Sequence, residues 1–431
     1  MHGERIERDG LGEVRIPDDV HWGPQTQRAV ENFAISGQRM PMALIVAIAH
    51  IKRHAAEVNA ELGLLDAERA RAIAAAAGEV VAGEWDAQFP VDVFQTGSGT
   101  STNMNVNEVV ASRANQILGH PRGSREPVHP NDHVNLGQSS NDVIPTAIHL
   151  AVRQSAAALC AASDGLRGRL LAKQAELAGV VKLARTHLQD AVPMTLGQEF
   201  SGYATQIAKA RGRIAATLPD LEELALGATA AGTGLGAHPD FAAAVIARLA
   251  AETNLPLRPA ENRFEALAAR DALVATSAAL CGLAGALMKI AEDLRLLSSG
   301  PRGGLGEIAL PALQPGSSIM PGKVNPVIPE MVIQVAAQVM GHHQAIAIGG
   351  QHGPLELNMM MPMIGANALG ACGILTAATR ALADRCIAGL TADAQRCRAL
   401  AERSLALATA LAPRIGYDRA TRIAQRTLQE D

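Results

Sequence analysis

The chain has 431 residues, which is enough for two or three domains around a large buried core. Hydrophobic residues make up 48% of it and charged residues 19%, a balance that excludes a disordered chain. The net charge is −4, aromatic residues amount to 2%, and there is no basic stripe, so we expect no binding to nucleic acid. Alanine and leucine dominate, which favours helix.

The five cysteines are dispersed, with no CxxC pair and no His/Cys cluster at zinc spacing. Such a set is typical of a reduced, cytoplasmic protein, and we expect neither a metal nor a cofactor. The N-terminal residues are charged, so no secretory signal is expected. The uncharged stretch 357–379 is long enough to span a membrane, but Pro362 and two asparagines interrupt it. We interpret it as a buried helix and expect no membrane association.

Helical patterns cover most of the chain. Residues 43–88 are predicted to be helical, a further helix is expected to begin near Asn105, and a small helical appendage occupies the last forty residues. Apolar residues recur at helical spacing over five long segments, which predicts a helix bundle. These segments are 146–178, 191–218, 264–297, 327–349 and 363–388.

The patterns together predict an all-α fold with a long-helix bundle in its centre. We expect an N-terminal domain at 1–137, the bundle at 138–390 and a short or truncated C-terminal helical domain at 391–431.

Two polar segments lie before the bundle. Residues 96–105 (TGSGTSTNMN) combine glycines, which let a ligand approach the backbone, with hydroxyls that can donate to a carboxylate. A helix cap with a polar turn is the alternative for this segment. Residues 129–133 (HPNDH) and 138–142 (QSSND) form the second segment, which holds more polar groups than the capping of one helix requires.

Two further polar segments interrupt the bundle. Residues 185–190 (RTHLQD) place His187 before a helix expected to start at Pro193, and a histidine there can exchange protons near neutral pH. A satisfied surface or core histidine is the alternative. Residues 316–325 (GSSIMPGKVN) hold the only lysine after Lys289. Their spacing departs from that of a P-loop, because five residues separate the glycines and valine follows the lysine, so nucleotide binding is excluded.

The four segments supply hydroxyls, amides, histidines and one lysine. That set suits proton transfer on a small dicarboxylate and does not suit hydride or phosphoryl transfer. At this point GSSIMPGKVNP resembles the signature loop of the fumarase/aspartase superfamily. TGSGTSTNMNVNEV, HPNDHVNLGQSSND and RTHLQDAVPMTLGQEFSGY are similar to its other sequence blocks, in the same order and spacing. The N-terminal ERIERDGLGEVRIP is similar to class II (iron-independent) fumarases, and the likeness extends from about residue 4 to 425.

The resemblance implies a homotetramer in which each active site takes residues from three subunits. It implies reversible hydration of fumarate to (S)-malate, in which a base removes a C3 proton of malate and an aci-carboxylate dianion is stabilised until hydroxide leaves C2. Ser317 matches the catalytic base, His187 the second acid/base residue and Glu330 the carboxylate paired with that histidine. Lys323 and Asn325 match residues that hold a substrate carboxylate. Further matches to substrate-binding positions are Ser98, Gly99, Thr100, Ser139, Ser140, Asn141, Thr186 and Ser318. Matches to a secondary anion site are His129, Pro130, Asn131 and Asp132.

Aspartate ammonia-lyase, or another dicarboxylate lyase of the superfamily, is the alternative activity, and a catalytically silent homologue is a third hypothesis. Ser139–Asp142 has the fumarase form SSND, where aspartases usually carry STND. Three departures from the family bear on the substrate. Glycine stands at Gly236 where asparagine is usual, His342–His343 replaces an Asn-Asp pair, and Met359–Met361 stands where an aromatic residue is frequent.

Overall fold

The computed structural model describes residues 3–430, and helices hold 62% of the chain. The prediction of an all-α fold is therefore confirmed. The helices are α1 (Pro24–Asn32), α2 (Met42–Glu61), α3 (Ala67–Val81), α4 (Thr100–Ile117), α5 (Ser140–Glu176), α6 (Leu196–Thr217), α7 (Phe241–Thr253), α8 (Arg263–Ala268), α9 (Asp271–Leu297), α10 (Val327–Gly350), α11 (Met361–Ala381), α12 (Ala394–Glu402), α13 (Ala412–Ile415) and α14 (Tyr417–Glu430).

The strands are short and pair two by two within residues 3–430. The antiparallel pairs are β1 (Glu4–Asp9) with β2 (Gly12–Pro17), β3 (Val181–Thr186) with β4 (Gln189–Thr195), and β7 (Ile308–Ala309) with β8 (Thr391–Ala392). The parallel pair is β5 (Glu223–Leu224) with β6 (Arg258–Pro259).

Contacts between Cα atoms group the chain into two compact units. The first unit holds residues 3–157, 216–280 and 341–373, and the second holds 158–215, 281–340 and 374–430. The long helices α5, α6, α9, α10 and α11 each contribute residues to both units. The three-domain division of the sequence stays a prediction.

The first unit owes its helical core to apolar residues spaced three or four apart. On α2, Ile45, Ile48, Ile51 and Ala55 are at most 1% exposed, and this helix packs against α3 and α7. The carboxylate of Asp66 caps α3 by accepting the backbone N–H of Arg69 at 3.0 Å, which satisfies a donor that the helix itself leaves free.

Two predicted helix starts were wrong. Helix α4 begins at Thr100 rather than near Asn105, so half of the first polar segment is helical. Gly99 precedes it with φ +74°, a left-handed conformation that a glycine adopts without strain. Helix α6 begins at Leu196 rather than at Pro193, because Pro193 pairs with Leu183 in a hairpin that the sequence pattern did not predict.

Three helices are long and apolar enough to span a membrane by length and composition, namely α5, α9 and α11. In their most apolar windows, 67%, 50% and 56% of the residues are buried inside the protein itself. Apolar helices that bury this much surface against protein are typical of a bundle. This burial favours the interpretation of residues 357–379, most of which belong to α11, as a buried helix.

His21 is a buried histidine in the first unit that makes stability depend on pH. Its side chain is 1% exposed, its Nδ1 lies 3.3 Å from Ser112 Oγ, and its ring packs edge-on against Trp85. Within residues 3–430 its Nε2 has no hydrogen-bond partner. Burial, followed by the charges of Arg122 and Arg113, lowers the pKa of His21 to about 4.

We expect the free energy of unfolding to fall as the pH drops from 6.5 to 4, by up to about 3 kcal/mol from His21 alone. The unfolded chain takes up this proton near pH 6.5, whereas the folded chain resists it until about pH 4. His21→Phe should flatten this part of the curve of melting temperature against pH. His120→Phe, at an exposed position, is the matched control, and equal acid sensitivity of both variants would contradict the assignment.

Candidate active site

The loop 316–325 lies in the second unit, directly before α10, and it is built around the hydroxyl of Ser317. The Oγ atom of Ser317 accepts the backbone N–H of Ile319 at 3.2 Å and that of Met320 at 2.9 Å. Two N–H donors directed at one hydroxyl oxygen stabilise negative charge on that oxygen. The loop therefore stabilises the alkoxide of Ser317 relative to the alkoxide of a free serine.

The ends of this loop are closed on each other. The Gly316 N–H donates to the Lys323 carbonyl at 2.7 Å, and the Asn325 side chain donates to the Gly316 carbonyl at 2.8 Å. A Cβ at Gly316 would lie 2.6 Å from the Lys323 carbonyl oxygen, so only glycine fits this crossing. The closure leaves the Lys323 side chain exposed, and no hydrogen bond or ion pair to the described residues occupies its ammonium group.

His187 lies at the tip of the β3–β4 hairpin, also in the second unit. His187 and Leu188 have φ angles of +56° and +59°, and Thr186 pairs with Gln189 across them. Two left-handed residues in a two-residue turn are the type I′ geometry, which suits the twist of a hairpin but strains a side chain such as that of Leu188, whereas glycine, asparagine, aspartate and histidine adopt it more readily. Leu188 is 74% exposed, so no burial offsets the strain. Strain of this kind concentrates at functional sites, which favours a role for the hairpin tip.

A buried charge cluster anchors the base of the same hairpin. Glu307 is 0% exposed, and its Oε2 accepts from the Arg185 guanidinium at 3.0 Å and lies 3.4 Å from the Lys182 ammonium. The Lys182 ammonium also donates to Glu199 Oε2 at 2.6 Å. Two cations and two carboxylates thus balance, which offsets the cost of burying them. Arg185 belonged to the third polar segment, but nothing in the sequence indicated Glu307 as its partner.

Glu330 lies in the first turn of α10, where its charge favours the positive end of the helix dipole. Among residues 3–430, no hydrogen bond or ion pair joins Glu330 to His187. The expected pairing of this carboxylate with the histidine therefore stays a prediction.

In the first unit, the first polar segment approaches the backbone of another segment closely. The hydroxyls of Ser98 and Thr100 lie 2.8 Å apart. A Cβ on Gly97 would lie 2.1 Å from the Met359 carbonyl oxygen, so the glycine is required for this contact. A cavity of about 440 Å³ opens beside Gly97 and is lined largely by apolar side chains, including Met359 and Phe94.

The carboxylate of Asp142 organises the second polar segment, also in the first unit. It accepts the backbone N–H groups of Ser139 and Gly227 at 3.0 Å and of Thr229 at 2.9 Å. Burial nevertheless raises the pKa of Asp142 to about 6. The Asn141 side chain donates to the Ala230 carbonyl at 2.8 Å, so the same loop is held twice.

A buried polar network joins the first two segments and was missed by the sequence reasoning. The Asn103 amide donates to Ser140 Oγ at 2.9 Å and to Asn135 Oδ1 at 3.2 Å. The ammonium of Lys52 donates to the same Asn135 oxygen at 2.8 Å and to Gln138 Oε1 at 2.9 Å. The structure thus connects Ser140 of the second segment to Asn103 of the first through this network. The assignment of Ser98, Gly99, Thr100, Ser139, Ser140 and Asn141 to one site stays a prediction.

His129 begins the residues assigned to a secondary anion site, at the start of the π-helical turn Pro130–Val134. Its Nδ1 faces the backbone N–H groups of Asn131 and Asp132 at 3.2 Å, and its Nε2 lies 2.7 Å from an Arg125 guanidinium nitrogen. Burial and the charge of Arg125 lower the pKa of His129. The two N–H groups are bonded to the His129 ring, so the feature at this place that attracts an anion is the Arg125 guanidinium.

One of the three departures from the family pattern, the histidine pair His342–His343 of α10, is hydrogen-bonded within the first unit. His342 Nδ1 hydrogen-bonds the Asn367 side chain, and His343 Nδ1 lies 2.8 Å from Ser277 Oγ. Gly236 lies in the 227–236 loop and has a φ of +88°. At this angle the backbone of an asparagine would be more strained than that of glycine but less strained than that of most other residues. Within residues 3–430, no group of three or more His, Cys, Asp or Glu side chains could hold a metal ion.

A family model described as a lyase matches residues 12–341. A class II fumarate hydratase of Nitrosomonas europaea is 53% identical over 431 residues, which are 100% of this chain and 93% of that protein. One from Thermosynechococcus vestitus is 52% identical over 427 residues, which are 99% of this chain and 91% of its own.

Solved structures give the same result. The recombinant class II fumarase of Schistosoma mansoni superposes with a TM-score of 0.96 at 42% identity, covering 99% of this chain and 93% of that chain. The fumarate lyase:delta crystallin of Brucella melitensis, solved bound to cobalt, superposes with a TM-score of 0.95 at 46% identity, with coverages of 99% and 94%. The chain therefore belongs to the lyase family and, within it, to the class II fumarate hydratases.

Proposed function

We propose that this protein catalyses the reversible hydration of fumarate to (S)-malate, with Ser317 as the base that removes the C3 proton of malate. The observation that carries the proposal is the pair of N–H donors on Ser317 Oγ, because this oxygen must bear negative charge to act as a base. The lone ammonium of Lys323, six residues further along the same loop, adds positive charge near the substrate.

The steps follow from the chemistry of a β-hydroxy dicarboxylate. The Ser317 alkoxide takes the C3 proton, and the electron pair of that C–H bond moves into the adjacent carboxylate, which becomes an aci-carboxylate dianion. Lys323 and Asn325 hold that carboxylate, and their interaction strengthens as its charge grows, which lowers the barrier. The C2–O bond then breaks, and a proton from His187 converts the leaving hydroxide into water. Glu330 keeps the His187 ring in place for this transfer.

Binding of the substrate is assigned to groups from several segments. The second carboxylate is held by Ser98, Thr100, Ser139, Ser140 and Asn141, with Gly99, Thr186 and Ser318 completing the pocket. His129, Pro130, Asn131 and Asp132 form a secondary anion site, supported by the Arg125 guanidinium beside His129. No metal or cofactor takes part in these steps.

We further propose a cytoplasmic homotetramer in which each active site takes residues from three subunits. Helices α9 and α11 support the assembly, because their most apolar windows remain only 50% and 56% buried in a single chain. Apolar surface of this extent calls for a protein partner. Within residues 3–430, none of the five cysteines forms a disulfide, as in proteins of a reducing compartment.

Ser317→Ala is expected to lower kcat about 10²- to 10⁴-fold, because it removes the base and leaves the N–H donors without their anion. The fold should be unaffected, since the side chain is only partly buried. Fumarate formation from malate, followed by ultraviolet absorbance, measures the effect. Ser318→Ala is the matched control and should act mainly on KM. A larger loss of kcat in Ser318→Ala than in Ser317→Ala would reverse the assignment of the base.

Lys323→Ala is expected to raise the KM for malate about 10- to 100-fold and to lower kcat as well, because the ammonium binds the carboxylate more strongly in the transition state. Lys323→Arg keeps the charge but not its compact shape, and should recover part of the binding. Steady-state kinetics on the two variants separate charge from shape. An unchanged KM in Lys323→Ala would remove this residue from the site.

The leaving group is tested by assaying malate and aspartate side by side with the wild-type tetramer. We expect fumarate to form from malate, with little ammonia released from aspartate. Ammonia release faster than the dehydration of malate would make the protein an aspartate ammonia-lyase. Absence of turnover with both substrates, in a folded tetramer, would favour a silent homologue.

A further inference from the structure

Lys52 is a fully buried lysine in the middle of α2, whose buried face in the first unit is mostly apolar. Its side chain is 0% exposed. The ammonium donates to two amide oxygens, Asn135 Oδ1 at 2.8 Å and Gln138 Oε1 at 2.9 Å. It forms no ion pair at contact distance with any described carboxylate. A buried ammonium held only by amides is costly, so its presence calls for a reason beyond stability.

The side-chain amides of Asn135 and Gln138, whose oxygens accept from Lys52, are each held in one orientation. The Asn135 side-chain nitrogen donates to the Gln138 carbonyl at 3.2 Å. The Gln138 side-chain nitrogen donates to the carbonyls of Val134 and Leu136 at 3.1 and 3.2 Å. Because both nitrogens are bound to backbone, both oxygens must face the ammonium. Lys52 thereby fixes the conformation of the turn 134–138.

This turn leads directly into Ser139, Ser140 and Asn141. The Asn103 amide connects this turn to the segment 139–141, since it donates to the side-chain oxygen of Asn135 and to Ser140 Oγ. Because Ser140 Oγ accepts this N–H, the hydrogen of the hydroxyl itself remains for a different acceptor. The Ser140 hydroxyl can therefore donate its hydrogen to a carboxylate.

We propose that Lys52 is a positioning residue for substrate binding, whose ammonium fixes the turn 134–138 and thereby sets the orientation of Ser139, Ser140 and Asn141 towards a substrate carboxylate. The inference rests on the proposed function, because those three residues are assigned to the substrate there. Lys52 touches neither substrate nor reacting atoms, and it acts through Asn135, Gln138 and Asn103.

The kinetic consequence follows from where the carboxylate is held. A carboxylate far from the reacting carbon is bound equally in the ground state and in the transition state, so its loss raises KM and leaves kcat nearly unchanged. In Lys52→Met, the side chain keeps its length but donates nothing, so Gln138 Oε1 loses its donor and Asn135 Oδ1 keeps only those from Asn103 and Asn107. Because the amide nitrogens stay bound to backbone, the buried oxygens cannot simply turn away, and we expect the turn 134–138 to shift and the segment that follows it to lose its fixed geometry.

The experiment compares Lys52→Met with Lys173→Met, a matched control in the second unit. Lys173 is also buried, at 7% exposure, and its ammonium donates to Glu176 and to the Leu390 carbonyl. For both variants we would measure kcat and KM with malate, the Kd of the non-reacting dicarboxylate succinate by calorimetry, and the melting temperature.

We expect Lys52→Met to raise the KM for malate and the Kd for succinate about tenfold, with kcat within about threefold of wild type. Lys173→Met should lower the melting temperature while leaving KM and Kd unchanged. A Kd for succinate within about twofold of wild type in Lys52→Met, or an equal rise in both variants, would overturn the proposal. If Lys52→Met does not fold, Gln138→Ala replaces it, since it removes one acceptor of the ammonium from a half-buried position, and an unchanged Kd would again overturn the proposal.

Failure of the proposed function is recognised separately. A wild-type protein that does not convert malate fails that proposal, whereas the change in succinate Kd caused by Lys52→Met is measured without turnover.

Discussion

The carboxylate of Asp142 is the interaction on which the arrangement of the first unit depends. It accepts three backbone N–H groups, from Ser139, Gly227 and Thr229, and so joins the start of α5 to a loop almost ninety residues later. Thr229 has a φ of +54°, a conformation that a β-branched residue adopts only when its surroundings enforce it. Without this carboxylate, three buried donors would lose their acceptor and the strained residue its support.

The same constraint accounts for the polar network around α5. An alanine-rich bundle offers few partners to polar groups, so each buried amide must find its partner in another polar side chain. Asn135 Oδ1 receives donors from Lys52, Asn103 and Asn107, which is more than one amide oxygen usually binds. The network is crowded because the segments that it serves carry hydroxyls and amides in place of apolar residues.

The parts of the molecule that the sequence predicted are those with local signals. The long apolar-periodic segments predict α5, α9, α10 and α11 because 3.6-residue periodicity extends over many turns. The hairpin at 181–195 lacks such a signal: its turn is His187-Leu188 instead of Asn-Gly, and its second strand contains a proline. The sequence did carry a signal for Lys52 that was not used, since this lysine stands four residues after Ile48 on the mostly apolar buried face of α2. The sequence carried no signal for the role of Glu307, because its partners in β3 are more than 120 residues away along the chain.

The residues assigned to substrate binding and those assigned to proton transfer lie in different environments, and each environment suits the proposed task. The groups assigned to binding in the first unit are held by buried amides, a lysine and a carboxylate, which fixes them before any ligand arrives and reduces the entropy cost of binding. Ser317 and His187, assigned to proton transfer, lie in the second unit on an exposed loop and a strained turn. A proton-transferring group must change its charge during the reaction, and a buried, fully paired network would oppose that change. In the loop, the N–H groups of Ile319 and Met320 donate to Ser317 Oγ and stabilise negative charge on it, so no buried counter-ion is needed.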